Sequence, residues 1–177
     1  MVPALRLSGL LIGIAVFLPP APASAYEDLH TLDVGAGYTS LPGTPSSAHS
    51  LGVALGYGVG VGDAWSLRGR ATLMGGLTET ASLSRFASTL SLDAIYLVDI
   101  VQLVPILGAG IGVRAGWGDA LRLDPSLDAF AGLDYLIDRE IYVGAEYRLS
   151  WMPLWDVAEV SQLSHTVELR FGWRLER

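Results

Sequence analysis

The chain has 177 residues, which predicts one folded domain, and no cysteine, which excludes disulfide and thiol chemistry. Its 18 acidic residues outnumber 11 basic ones for a formal net charge of −7, which argues against a nucleic-acid surface. Hydrophobic residues make up 51% of the sequence, yet beyond the N-terminus no run reaches the ~18 apolar residues of a membrane-spanning helix.

Residues 1–25 read as a secretory signal peptide. Arg6 supplies a short basic region, Leu7 to Leu18 an apolar one, and Ala23-Ser24-Ala25 a small-residue cleavage site. The apolar part ends at Pro19-Pro20 and is too short to span a bilayer, so cleavage and a mature domain over residues 26–177 are expected. No lipobox cysteine is present to carry a lipid anchor.

Eight segments of period-2 alternation follow, each closed by turn or loop chemistry. The first, His30 to Tyr38, sets Leu32, Val34, Ala36 and Tyr38 on one face and Asp33, Gly35 and Gly37 on the other; a Pro/Gly/Ser-rich loop follows from Leu41 to Ala48. The second, Ser50 to Val61, alternates Leu51, Val53, Leu55, Tyr57 and Val59 with a glycine ladder, and Gly62-Asp63 turns the chain. That ladder resembles a phosphate-cradling loop only superficially, because no helix follows it. The third, Trp65 to Gly75, opposes Trp65, Leu67, Ala71 and Leu73 to Arg68, Arg70 and Thr72, ahead of a polar loop from Thr78 to Arg85. The fourth, Phe86 to Val98, sets Phe86, Leu90, Leu92, Ala94 and Tyr96 against Thr89, Ser91 and Asp93.

The fifth segment runs from Leu103 to Trp117 and the sixth from Leu121 to Ile137, joined at Gly118-Asp119-Ala120. With Trp117 opposite Leu121, Arg114 faces Asp124, and Phe130 faces the space left by Gly108. Asp128 and Asp134 share that inner face. Pro125 within the sixth segment removes a ladder donor, which predicts a bulge there or a membrane portion that starts after it. The seventh segment, Ile141 to Trp151, and the eighth, His165 to Leu175, are joined by the loop Met152 to Ser164. Pairing Trp151 with His165 puts Glu146 opposite Arg170, Arg148 opposite Glu168, Ser150 opposite Thr166 and Gly144 opposite Gly172. Two complementary ion pairs in one register favour that hairpin.

The polarity of these faces decides the fold class. Tyr38, Phe86, Trp117 and Trp151 fall at one end of the apolar face, and Tyr57, Trp65, Tyr96, Tyr135, Phe171 and Trp173 at the other, with aliphatic residues between. Two aromatic girdles around an aliphatic band suit a bilayer. The polar face carries Asp33, Arg68, Arg70, Asp93, Arg114, Asp124, Asp128, Asp134, Glu146, Arg148, Glu168, Arg170 and Arg174 among glycines, and the chain has no lysine. A soluble barrel would invert this arrangement and coat its outside with charge. The expectation is therefore an all-β, eight-stranded, antiparallel up-and-down transmembrane barrel with a packed, charged, glycine-rich lumen. Connections alternate short and long, which places both mature termini on the periplasmic side.

The sequence resembles the small eight-stranded outer-membrane proteins of Gram-negative bacteria, of the OmpA-transmembrane-domain and OmpX type. The resemblance covers Tyr26 to Arg177 and rests on signal peptide, strand number, girdles and charged lumen rather than on a motif. It implies a monomer in the outer membrane, in contact with outer-membrane lipids and lipopolysaccharide and delivered by the barrel-insertion machinery. That machinery reads a terminal aromatic; here Phe171 and Trp173 are followed by Arg174 to Arg177, a departure from the pattern.

For function, the lumen charges read first as a mutually neutralising interior. Eight strands leave room only for packed side chains, so an open channel is not expected and a small or gated conductance is the alternative. Some such barrels are lipid A deacylases, which need a serine with a histidine base and an acidic orienter at the outer rim. The residues available are His165, Ser164, Ser161, Glu159 and Ser150, but the deacylases' His and Ser two apart are missing around Tyr147 to Trp151. His49 and His165 read as interface residues. No metal-ligand spacing and no cofactor motif is present. The last loop carries Met152, Pro153, Leu154, Trp155 and Val157, which suit lipopolysaccharide, an envelope partner or an extension of the girdle. The expected role is structural or surface-interacting, without catalysis.

Overall fold

The computed structural model describes residues 29–42, 47–77, 86–98, 102–117, 121–153 and 162–175, with the backbone alone of Trp117. The expected signal peptide, the loop from Thr78 to Arg85, the turn at residues 118–120, and Trp155, Glu159 and Ser161 lie outside the described residues.

Eight strands form: β1 (His30–Leu41), β2 (Ala48–Gly60), β3 (Trp65–Gly76), β4 (Phe86–Leu97), β5 (Leu103–Trp117), β6 (Leu121–Leu136), β7 (Ile141–Trp151) and β8 (Leu163–Leu175). Each pairs antiparallel with the next, and β8 returns to β1 to close the barrel. The β1–β2 ladder continues past Tyr38 to Leu41↔Ala48, so the Pro-rich loop is shorter than its composition suggested. At the β6–β7 turn the Asp138 carboxylate accepts from the amides of Glu140 at 2.8 Å and Ile141 at 2.7 Å, the local bonding that makes Asp a turn former.

Barrel dimensions follow from the register. Cross-strand partners lead from His30 through Val59, Leu67, Ala94, Ala109, Ala129, Leu149 and His165 back to Ser40 on β1. The return is displaced by ten residues (40 − 30), the shear of the barrel. Eight strands with that shear tilt by about 40° and enclose a space that side chains alone can fill.

Alternation holds on every strand. Outward positions are mostly exposed and apolar, such as Val53, Leu73, Leu90, Ile111 and Leu169, whereas Asp33, Arg68, Asp93 and Glu146 are buried inside. The expected pairs Arg114↔Asp124 and Gly108↔Phe130 are found.

Two expectations are corrected. β6 has no bulge at Pro125: its register with β5 runs unbroken from Trp117↔Leu121 to Leu103↔Tyr135. On its other flank the ladder with β7 ends at Leu127↔Trp151, two residues short of Pro125. β6 thus has a local edge where a missing N–H breaks no bond. The β7–β8 hairpin is shifted by two residues from the charge-matched register. Glu146 lies opposite Glu168, Arg148 opposite Thr166, Ser150 opposite Ser164, Gly144 opposite Arg170 and Trp151 opposite Leu163. Volume explains the shift: it places Tyr142 opposite Gly172, and a Cβ on Gly172 would collide with the phenol ring. The charge-matched register would instead leave two glycines facing each other and a void between them.

Candidate functional site

The polar faces of all eight strands converge on the lumen, where the strands concentrate their ionisable groups among the described residues. Its middle layer is a connected ion-pair network. Arg68 bonds Asp93, its direct cross-strand partner, at 3.1 Å and Glu146 at 2.8 Å. Arg148 reaches Asp93 at 2.7 Å, Glu146 at 2.9 Å and Asp128 at 3.2 Å. Arg170 bonds Asp134 at 2.6 Å and lies 3.4 Å from Glu146. Arg70 pairs with Asp33 at 3.5 Å and with Glu168. The two glutamates opposite each other on β7 and β8 are therefore held by different arginines: Glu168 by Arg70, Glu146 by Arg68, Arg148 and Arg170. That arrangement removes the repulsion a like-charged cross-strand pair would carry.

Glycines make room for this layer. A Cβ on Gly56 would strike Asp33, on Gly110 Asp93, on Gly144 Asp134 and on Gly108 the ring of Phe130. With Gly108 open, the Phe130 ring sits 4.4 Å from the Arg148 guanidinium and 5.1 Å from that of Arg68. Both distances fall within cation–π range.

The structure thus joins most of the sequence-derived lumen residues into one body. Arg122, which sequence reasoning passed over, bonds Asp124 at 3.0 Å from the rim. Counting it, the described inward charges balance: Arg68, Arg70, Arg114, Arg122, Arg148, Arg170 and Arg174 against Asp33, Asp93, Asp124, Asp128, Asp134, Glu146 and Glu168. Its alternation with Asp124 was the signal available. Among the described residues, no group of three or more His, Asp or Glu is arranged to hold a metal ion.

On both sides of the charged layer the lumen changes character. Toward the termini it closes over Ile95, Val104, Ile106 and Phe130, with Leu97 and Leu136 packed against them. A cavity of about 40 Å³ lies there, lined by Asp33, Asp134, Tyr142 and Arg174 among others. Toward the opposite end is a tier of hydroxyls, including Thr39, Thr72, Thr89, Ser126, Ser150 and Thr166, around a cavity of about 60 Å³. Leu41, Ala48, Ala87 and Met152 are buried at that end. Sequence reasoning missed this layering, although Ile95, Leu97, Val104 and Ile106 have inward parity at neighbouring strand ends.

The expected girdle residues face outward at the two ends. Tyr57, Trp65 and Tyr135 are exposed near the termini, with Tyr96, Phe171 and Trp173 partly covered there; Tyr38, Phe86 and Trp151 are exposed at the other end. Of the deacylase candidates, the described ones do not come together. His165 faces outward, where its Nδ1 meets the Tyr147 hydroxyl at 2.6 Å, whereas Ser150 and Ser164 face the lumen. The sheet separates base from nucleophile.

Residues 10–174 match the family of the outer membrane protein beta-barrel domain. The chain belongs to this family. No curated protein sequence matches it. In fold, this outer-membrane barrel is similar to neisserial surface protein A, with a TM-score of 0.65 and 17% identity over 88% of this chain and 99% of that one. The N-terminal β-barrel domain of Pseudomonas aeruginosa OprF gives a TM-score of 0.58 and 15% identity over 84% and 98% of the two chains. Ail, the attachment invasion locus protein of Yersinia pestis, gives 0.56 and 21% over 84% and 99%. At such identities the likeness carries the fold of an outer-membrane barrel.

Proposed function

We propose that the mature chain is an integral outer-membrane barrel with both termini in the periplasm, acting as a structural or surface-interacting protein without catalysis. The observation that carries this reading is the sealed lumen. A charge-balanced layer fills the middle, and buried apolar side chains close it toward both ends. A packed, charge-balanced interior of this kind favours a structural role for the lumen, which leaves the rims and the outer surface as the places where the protein meets other molecules. The separation of His165 from Ser150 and Ser164 supports the non-catalytic reading. Two structurally similar barrels are named as a surface protein and an attachment invasion locus protein, which supports a role at the cell surface.

The chain's lack of cysteine permits a direct test of orientation. Ser47→Cys, beside the β1–β2 loop, should react with a membrane-impermeant maleimide on intact cells. Asp63→Cys, in the β2–β3 turn, should react only after the outer membrane is permeabilised. The opposite labelling pattern overturns the orientation. In a strain deleted for the protein, a lipid A acylation pattern altered from that of the parent would overturn the non-catalytic reading.

A gated conductance is the second reading, favoured by the two cavities that flank a single ion-pair layer. Planar-bilayer recordings separate the two. The sealed-lumen reading expects no discrete openings in the wild type, and resolved single-channel steps would replace it with the gated one.

A further inference from the structure

The cavity of about 40 Å³ on the termini side runs between the charged layer and the barrel end. Asp33, Arg68 and Arg170 line it from the layer, and Leu29, Gly60 and Ser66 from the rim. Each of the three charged residues brings to it polar atoms that the surrounding protein leaves unused. Among the described residues, neither oxygen of Asp33, nor Arg68 Nη1, nor Arg170 Nε has a hydrogen-bond partner. These atoms sit on side chains deep in the lumen, with residue exposures of 1%, 2% and 5%.

The other atoms of the same side chains are engaged, which fixes the leftover ones in place. Arg68 spends Nε and Nη2 on Asp93 and Nη2 again on Glu146 at 2.8 Å. Arg170 gives Nη2 to Asp134 at 2.6 Å. Asp33 lies 3.5 Å from Arg70, an ion-pair contact beyond the hydrogen-bond range of about 2.7–3.2 Å. A buried ion pair is favourable only when its remaining donors and acceptors are also met. Here four such atoms border one small cavity.

We propose that this cavity is a binding site for ordered water, which bridges Asp33 to Arg68 and Arg170. The mixture of atoms selects the ligand. An anion would meet two N–H donors but also face the Asp33 carboxylate, and a cation would face two guanidiniums. Water donates to the carboxylate and accepts from the guanidiniums at once. The volume agrees, since at roughly 10–15 Å³ per molecule the cavity takes about three. The consequence lies at the seam, where β8 meets β1. Asp33 on β1 is ion-paired to Arg70, whereas Arg68 and Arg170 belong to the group around Glu146. The water ties these two parts of the layer together. The site lies inside the lumen, so it is independent of the orientation and surface role proposed above.

The test is water-selective NMR on the refolded full-length mature protein in micelles, with its arginines labelled. In the wild type the Arg170 Nε–H should show a rotating-frame cross-peak with water, opposite in sign to a peak from proton exchange. D33L, similar in volume but without acceptor oxygens, should lose that peak, and D33N, which keeps an acceptor oxygen, should retain it. Folding of each variant is read from heat-modifiable migration; should D33L fail to fold, the wild-type spectrum and D33N carry the test. Absence of the peak in the folded wild type or in folded D33N, or its persistence in folded D33L, overturns the proposal. Rubidium and bromide salts are then added separately to the wild type. The water site predicts that the Nε–H resonance follows ionic strength alone, and a saturable shift with either ion would assign the cavity to that ion and overturn the water reading.

Discussion

Glu146 is the residue on which most of the lumen's electrostatics converges, because three guanidiniums share its carboxylate and each keeps another acid as well. Removing it leaves a buried excess of positive charge with no solvent to screen it. Glu146→Ala should cost about 3–5 kcal/mol, the usual penalty for breaking a buried pair, read as a lowered urea midpoint in detergent micelles. The network also predicts a failure to rescue. Had Glu146 and Arg170 been an isolated cross-strand pair, exchanging them would restore stability. In the structure the exchange sets Arg170→Glu against Asp134 and deprives Arg68 and Arg148 of a partner, so E146R/R170E should be no more stable than either single variant. Recovery in the double variant would argue for the pairwise register instead. At this scale the sequence made the identity of the lumen charges legible, since parity alone marks a residue as inward. It left their partners illegible: Arg148 reaches Asp93 from three strands away, a contact no local pattern encodes.

At the scale of strands, packing rather than charge fixes how β7 meets β8. A one-residue slip would turn every side chain to the wrong face, whereas a two-residue slip keeps the faces and changes only the neighbours. Alternation therefore specified inside and outside but not register, and the choice fell to which side chain fills which glycine's space. Tyr142 over Gly172 decides it. The same logic made the β5–β6 register readable in advance, because Phe130 and Gly108 were an obvious large–small pair and Arg114 and Asp124 agreed with it. Gly172→Val should destabilise the barrel by about 1–3 kcal/mol through overpacking, and Tyr142→Ala in the same chain should recover part of that loss. A double-mutant cycle measures the coupling. No coupling between the two positions would contradict the observed register. Pro125, by contrast, sits where β6 has outrun β7, so Pro125→Val should change stability by no more than about 0.5 kcal/mol.

At the scale of the whole molecule, the chain is an inverted globule: its outside is the apolar phase and its inside holds the charge. Strand number, closure and face polarity were all legible because they are carried by alternation, which is local. The layering of the lumen into apolar floor, ion-pair layer and hydroxyl tier was not, since it depends on the shear that brings Ile95, Ile106 and Phe130 to one level. The inversion itself is the claim on which the rest depends. A scan of single cysteines along β7, from residue 143 to 150 in the otherwise cysteine-free chain, tests it most directly when each is spin-labelled in bilayers. Labels at 143, 145, 147 and 149 should be accessible to membrane-dissolved oxygen. Labels at 144, 146, 148 and 150 should be shielded from it. Oxygen accessibility that peaks at the even positions, or that shows no two-residue period, would contradict an apolar exterior around a sealed, charged lumen.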